Sequence, residues 1–216
     1  GLPHGPADHL APARLGLPRR RAFAVVGVGY AVGMAAYLGL WAVAPAPAFA
    51  SFILLTWFHW GQGDVYALLD FAGAEHLPTR AERALTLLVR GAYPMVVPLV
   101  AFPEAYRRVA AAAVSLFGAD AVVLAPAFTP GSRLVAGGGV LAATLVSLGV
   151  GAWRVRRGAA RGPWLVDVGE NALLWAYFLV VPPILAVGLY FCLWHALRHV
   201  ARLVGVDRPS ATALAA

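Results

Sequence analysis

Pro182-Pro183-Ile184-Leu185-Ala186-Val187-Gly188-Leu189-Tyr190-Phe191-Cys192-Leu193-Trp194-His195-Ala196-Leu197-Arg198-His199 decides how this chain is read. The double proline is a turn, and the residues after it are apolar until His195. With the preceding run from Trp164, they form an almost uncharged stretch ending near Val204, long enough to cross a bilayer and return. His195 and His199 stand four residues apart, so on a helix both imidazoles project from one face. Imidazole is costly to bury in apolar surroundings without a partner, and polar groups inside membrane helices mark sites. A divalent metal is one such partner; hydrogen bonds to neighbouring helices are the other. Spacing alone leaves the two equal.

Composition widens this reading to the whole chain. Of 216 residues, 61% are hydrophobic and only 12% charged, and the mean hydropathy is +0.73. Soluble domains carry about 25% charged residues. The expected fold is therefore an all-α polytopic membrane protein, forming one integral-membrane domain over residues 1–216. A separate soluble domain has no polar stretch to form from. The net charge of +7 comes from arginine alone, since lysine is absent. In such a protein, basic clusters report orientation, and nucleic acid is not an expected partner. A single cysteine, Cys192, excludes an internal disulfide and reads as a packing residue.

Taken in order, Gly1–His9 places two prolines, two glycines, Asp8, His4 and His9 in a turn at a membrane face. Arg14, Arg19, Arg20 and Arg21 follow. Apolar spans are expected at 22–43, 48–69, 85–102, 134–153, 164–181 and 184–204. Gly29 and Gly33 have the spacing that lets helices approach closely. The second span carries Trp57-Phe58-His59-Trp60-Gly61-Gln62-Gly63-Asp64, an expensive polar grouping for a membrane helix. Residues 70–83 read as a surface loop, with His76 solvated. Arg90, inside the third span, either snorkels to the interface or pairs with a carboxylate.

Residues 103–132 are ambiguous between a span and two short interfacial helices. The second arginine cluster, Arg154, Arg156, Arg157 and Arg161, resolves the count. Six spans keep both clusters on the cytoplasmic side, and seven do not. Six spans also put His195 and His199 in the inner half of the last helix. At about 1.5 Å per residue, His59 then lies roughly 15 Å deep, His195 roughly 14 Å, His199 roughly 8 Å and Glu170 roughly 9 Å. With His4 at the inner interface, four histidines and a carboxylate have depths that allow them to converge.

Gly1-Leu2-Pro3-His4-Gly5 with Asp8, Phe58-His59-Trp60-Gly61 with Asp64, and Glu170 followed by Pro182-Pro183, Tyr190-Phe191-Cys192, His195 and Arg198-His199 resemble the Brp/Blh family. These are integral-membrane β-carotene 15,15′-dioxygenases of bacteria and archaea that supply retinal to rhodopsins. The resemblance is dense at 1–9, 58–64 and 170–199, and loose between 65 and 169. It implies a non-haem Fe(II) site held by His4, His59, His195 and His199, with His9 in reserve. Four neutral imidazoles leave Fe(II) its charge and open positions for O₂. Carboxylates that take the outer N–H of such ligands are expected at Glu170, by depth, with Asp64 and Asp8 as further candidates. Glu170 has a competing role as the ion-pair partner of Arg198.

The activity implied is oxidative cleavage of β-carotene, or a related carotenoid, at its central double bond to give retinal. A carotenoid from the bilayer and O₂ are the implied substrates, lipid the surroundings and a rhodopsin the retinal acceptor. Trp57, Phe58, Trp60, Tyr190, Phe191 and Trp194 are candidates for lining a flat tunnel, against ordinary packing roles. The protein is expected in the plasma (inner) membrane as a multi-pass chain. Family members generally continue into further helices, so this chain is expected to lack some of them. Two other readings stay open: a histidine-box lipid hydroxylase or desaturase, and a non-catalytic carotenoid- or retinal-handling factor. The former normally needs about eight histidines for two metals, and the chain has six.

Overall fold

The computed structural model describes residues 18–206, and they are helical almost throughout. In chain order the helices are α1 (Arg19–Val43), α2 (Pro45–Ala72), α3 (Arg80–Ala101), α4 (Pro103–Ser115), a 3₁₀ segment (Ala121–Phe128), α5 (Pro130–Arg156) and α6 (Arg161–Val180). The last rod begins as α7 (Pro183–Leu189), widens to a π turn (Tyr190–His195) and continues as α8 (Ala196–Val206). Four stretches are long and apolar enough to cross a membrane: Phe23–Val43, Arg80–Ala101, Pro130–Arg156 and Pro183–Arg202.

The helix ends follow local chemistry. Proline opens α2, α4, α5 and α7, where its missing N–H would have had no partner. Thr79 and Glu82 form a reciprocal cap at the start of α3, the Thr79 hydroxyl accepting from the Glu82 N–H at 3.3 Å and the Glu82 carboxylate accepting from the Thr79 N–H at 2.9 Å. Arg154, at the far end of α5, donates to the same Glu82 at 2.6 Å and ties the two helix ends together. Pro94 and Pro98 lie inside α3 without ending it, as neighbours in a helix bundle permit.

Around α3 the rest is assembled. It packs against α2, α5 and α6, and the central cluster draws Val89, Tyr93, Met95 and Val96 from it, Trp60 from α2, Leu174 and Phe178 from α6, and Tyr190 from the last rod. The crossing with α2 is close. A Cβ on Gly61 would stand 2.1 Å from the Leu87 carbonyl oxygen, and one on Gly91 2.0 Å from that of Trp57. Neither position tolerates a side chain without moving a backbone. By contrast, α1 exposes Phe23, Val25, Val28, Val32 and Leu38, an apolar surface suited to lipid rather than water.

Residues 103–132 do not form one helix. α4 ends near Gly118, whose φ is +81°, and Asp120 caps the 3₁₀ segment by accepting from the Val122 N–H at 2.9 Å. On the exposed face of α4, the Arg107 guanidinium hydrogen-bonded to Glu104 holds that carboxyl below its ordinary value.

Two expectations need correction. Gly29 and Gly33 seat no neighbour, as nothing described lies within 4 Å of a Cβ built on either. His76 is not solvated: it is 1% exposed, with Nε2 3.1 Å from an Asp167 carboxylate oxygen. The loop around it folds inward because Ala74 and Leu77 pack under Leu68, which carries His76 to α6.

Candidate metal centre and substrate groove

α2 and the last rod bring His59 and His195 together. Their Nε2 atoms are 3.3 Å apart, with ring centroids 5.0 Å apart and planes at 66°. His199 lines the same cavity, of about 90 Å³, together with Gln62, Gly63, Tyr66, Arg198 and Arg202. Three histidines singled out in the sequence thus share one pocket. His4, His9 and Asp8 lie outside the described residues. Among the described residues, no three His, Cys, Asp or Glu side chains close on one point as a complete metal site.

The π turn shapes the pocket. It spans Tyr190–His195, and regular helix resumes at Ala196. His195 and His199 therefore keep the i, i+4 relation of an α-helix and face the same way. Cys192, three residues before His195, is exposed while His195 is 2% exposed. A wider turn advances each residue through a smaller angle, so Cys192 and His195 do not share the face that α-helical spacing predicts. Such turns frequently occur at functional sites.

The aromatic candidates separate into different roles. Trp60 is buried, with its ring centroid 5.2 Å from Tyr190, 6.0 Å from Phe191 and 6.0 Å from His195. These rings wall one side of the histidines. Trp57 turns away, its indole N–H donating to the Leu88 carbonyl at 2.7 Å. Trp194 donates to Asp64 at 3.1 Å and stacks beneath the Arg198 guanidinium, 3.9 Å from its ring centroid. Phe58 is 53% exposed and points outward.

An apolar groove leads up to His59. Its nearer part, of about 560 Å³, is lined by Phe52, Leu55, Thr56, His59, Trp60 and Phe191 among others. A further part, of about 370 Å³, shares Phe52, Thr56 and Trp60 with it and reaches Phe49, Met95 and Pro183. From His59 to Phe49 along α2 is ten residues, about 15 Å of helix.

A second polar centre lies behind the histidines. Arg90, fully buried, has Nη1 3.1 Å from Glu170 and 3.6 Å from Asp64, and pairs through Nη2 with Asp167. Asp167 also accepts from the Asn171 side chain at 2.8 Å and pairs with His76. Arg198 pairs with Glu170 and stands 3.7 Å from Asp64. The choice left open for Arg90 thus falls to carboxylates. Both carboxylate oxygens of Glu170 face arginines, the arrangement in which it pairs with Arg198.

Sequence reasoning passed over Asp167. The available signal was its spacing: three residues before Glu170, it lies on the same face of α6. Formally the centre sets three carboxylates (Asp64, Asp167, Glu170) against two guanidiniums (Arg90, Arg198). Buried charges demand such pairing, because each costs several kcal/mol to desolvate.

Fold and pocket together define a class: a helical membrane protein in which paired imidazoles meet an apolar groove. The chain belongs to the family described as beta-carotene 15,15'-dioxygenase, which matches residues 1–216. It is 49% identical over 209 residues to "Probable beta-carotene 15,15'-dioxygenase Blh" of Halobacterium salinarum, covering 96% of this chain and 59% of that protein. It is 37% identical over 214 residues to "Probable beta-carotene 15,15'-dioxygenase Brp" of the same organism, covering 98% and 57%. The chain thus spans less than two thirds of the length of these relatives. No solved structure matches it.

Proposed function

We propose that the protein cleaves β-carotene, or a related carotenoid, with O₂ at its central 15,15′ double bond. The C=C bond breaks and each carbon takes one oxygen atom, giving two retinal molecules. The observation that carries this is the meeting of His59 and His195, with His199 in the same pocket, at the head of an apolar groove. Family membership supplies the reaction class.

The donor set fits Fe(II). Two imidazole nitrogens bound at about 2.1 Å to one ion stand about 3.0–3.4 Å apart for right-angled to tetrahedral arrangements, and those of His59 and His195 are 3.3 Å apart. The nearby carboxylates Asp64 and Glu170 are held by arginines, which agrees with the imidazole donors that the family resemblance implies. His4, His59, His195 and His199 are the proposed ligands, and Fe(II) would activate O₂ there. The chain itself orients the substrate. Trp60 and Phe191 line the groove, and aromatic walls suit a conjugated chain. A carotenoid held in this apolar groove would have one double bond beside the histidines, so that positioning would set which bond is cut.

The accompanying topology is six spans, α1, α2, α3, α5, α6 and the last rod, in the plasma membrane, with α4 and the 3₁₀ segment at the interface. It is supported by the break at Gly118–Asp120 and by the arginine clusters. Tags after residues 158 and 208 are expected on the same, cytoplasmic side; opposite sides would rule it out. A rhodopsin is the proposed acceptor of retinal. The test of function is expression in carotene-producing cells. Loss of orange colour with retinal appearing supports cleavage, whereas unchanged pigment with tightly bound metal would favour a non-catalytic carotenoid-handling role.

A further inference from the structure

Gly63 has no place in the ligand set, yet it touches it. A Cβ built there would stand 2.6 Å from His195 Cε1 and 3.0 Å from Nδ1, where ordinary contact begins at 3.4 Å. The ring of His195 therefore lies directly on the backbone of α2. Gly63 is one helical turn beyond His59, on the same face, so one stretch of α2 offers both the His59 nitrogen and the bare backbone beside it. Gly61, two residues earlier, faces the other way, against α3. The two glycines of the Trp60–Asp64 segment thus do different work, one for helix packing and one for the imidazole.

His195 can retreat only toward the cavity it shares with His59 and His199. It is 2% exposed, with Trp60 and Phe191 on its other sides at 6.0 and 6.3 Å between centroids. A methyl group at position 63 would have to displace the ring by about 0.8 Å to reach ordinary contact, on the scale at which sites lose function. We infer that Gly63 is a positioning residue for the metal centre, its missing side chain fixing where His195 Nε2 sits relative to His59. The inference rests on the proposed reading of His195 as a metal ligand.

Gly63→Ala, His195→Ala and the double variant test it on purified protein, with Fe(II) alone as the probe. In Gly63→Ala, Fe(II) affinity by chelator competition is expected to fall about 10–100-fold, the range seen when support for a ligand is lost. With Co(II) in place of iron, its visible absorption bands are expected to shift, which a loss of fold stability alone would not cause. The unfolding midpoint is expected to drop when Gly63→Ala is made with His195 in place, and not to drop when the same substitution is added to His195→Ala. That second comparison needs no metal and stands even where Gly63→Ala loads poorly. Affinity within about twofold of wild type, or an equal midpoint drop in both backgrounds, would overturn the inference. Should His195→Ala itself bind Fe(II) as wild type does, the ligand reading fails instead.

Discussion

Two polar centres sit side by side in this apolar protein, and they are built on opposite terms. Around Arg90, each carboxylate meets a guanidinium from another helix. Around His59 and His195, two imidazole nitrogens stand 3.3 Å apart at the edge of a small cavity, beside an apolar groove. Both looked equally anomalous as polar residues in membrane helices. The difference teaches that burial cost alone does not mark a site. An ion-pair cluster specifies how helices pack; imidazoles that line a cavity beside a groove specify where a ligand goes.

The comparison breaks most directly at the histidines. His4→Ala, His59→Ala, His195→Ala and His199→Ala are each expected to lose most bound iron and nearly all activity while staying folded, read by metal analysis and retinal yield. Full iron content in His59→Ala would end the four-ligand proposal. Arg90→Leu should do the reverse, damaging the fold first. Removing one partner of a buried pair costs about 3–5 kcal/mol, and here Asp64 and Glu170 would be left with Arg198 alone and Asp167 with no guanidinium; unfolding in graded denaturant would reveal it.

His76 and Glu170 sharpen the boundary between the centres. His76→Ala leaves Asp167 with one partner fewer, so stability should fall by about 1–3 kcal/mol with iron content unchanged. Glu170→Gln keeps the shape but loses the charge that Arg90 and Arg198 share. The ion pairs predict a lower unfolding midpoint with iron retained. Faster loss of iron to a chelator would instead tie Glu170 to the histidines. The smallest effect is expected at Phe58, whose ring points outward: Phe58→Leu should leave retinal formation within about twofold, whereas Trp60→Leu should raise KM for carotenoid.

Much of this was legible before any coordinates. Apolar runs bounded by Pro and Gly mark the helices because hydrophobicity and turn chemistry are local. The i, i+4 spacing placed His195 and His199 on one face, and depth matched them to His59. What was hidden is non-local. Asp167 meets Arg90 across 77 residues, and nothing in either segment announces the partner. The 73–79 loop looks soluble by composition, yet Ala74, His76 and Leu77 turn inward, because packing under Leu68 outweighs local polarity. The π turn has no sequence signature, so the displacement of Cys192 from the His195 face could not be read.

Arg90 also bears on how the protein is made. A guanidinium at the middle of a spanning helix opposes insertion by about 2.5–3.5 kcal/mol when that helix enters alone. As the chain emerges, Asp64 precedes Arg90, whereas Asp167 and Glu170 are synthesised only after α4 and α5. The α2–α3 hairpin is therefore the smallest piece of nascent chain in which Arg90 has a counter-charge. On the proposed topology its two helices have reason to partition into the membrane together, and the close approach at Gly61 and Gly91 is where they pack.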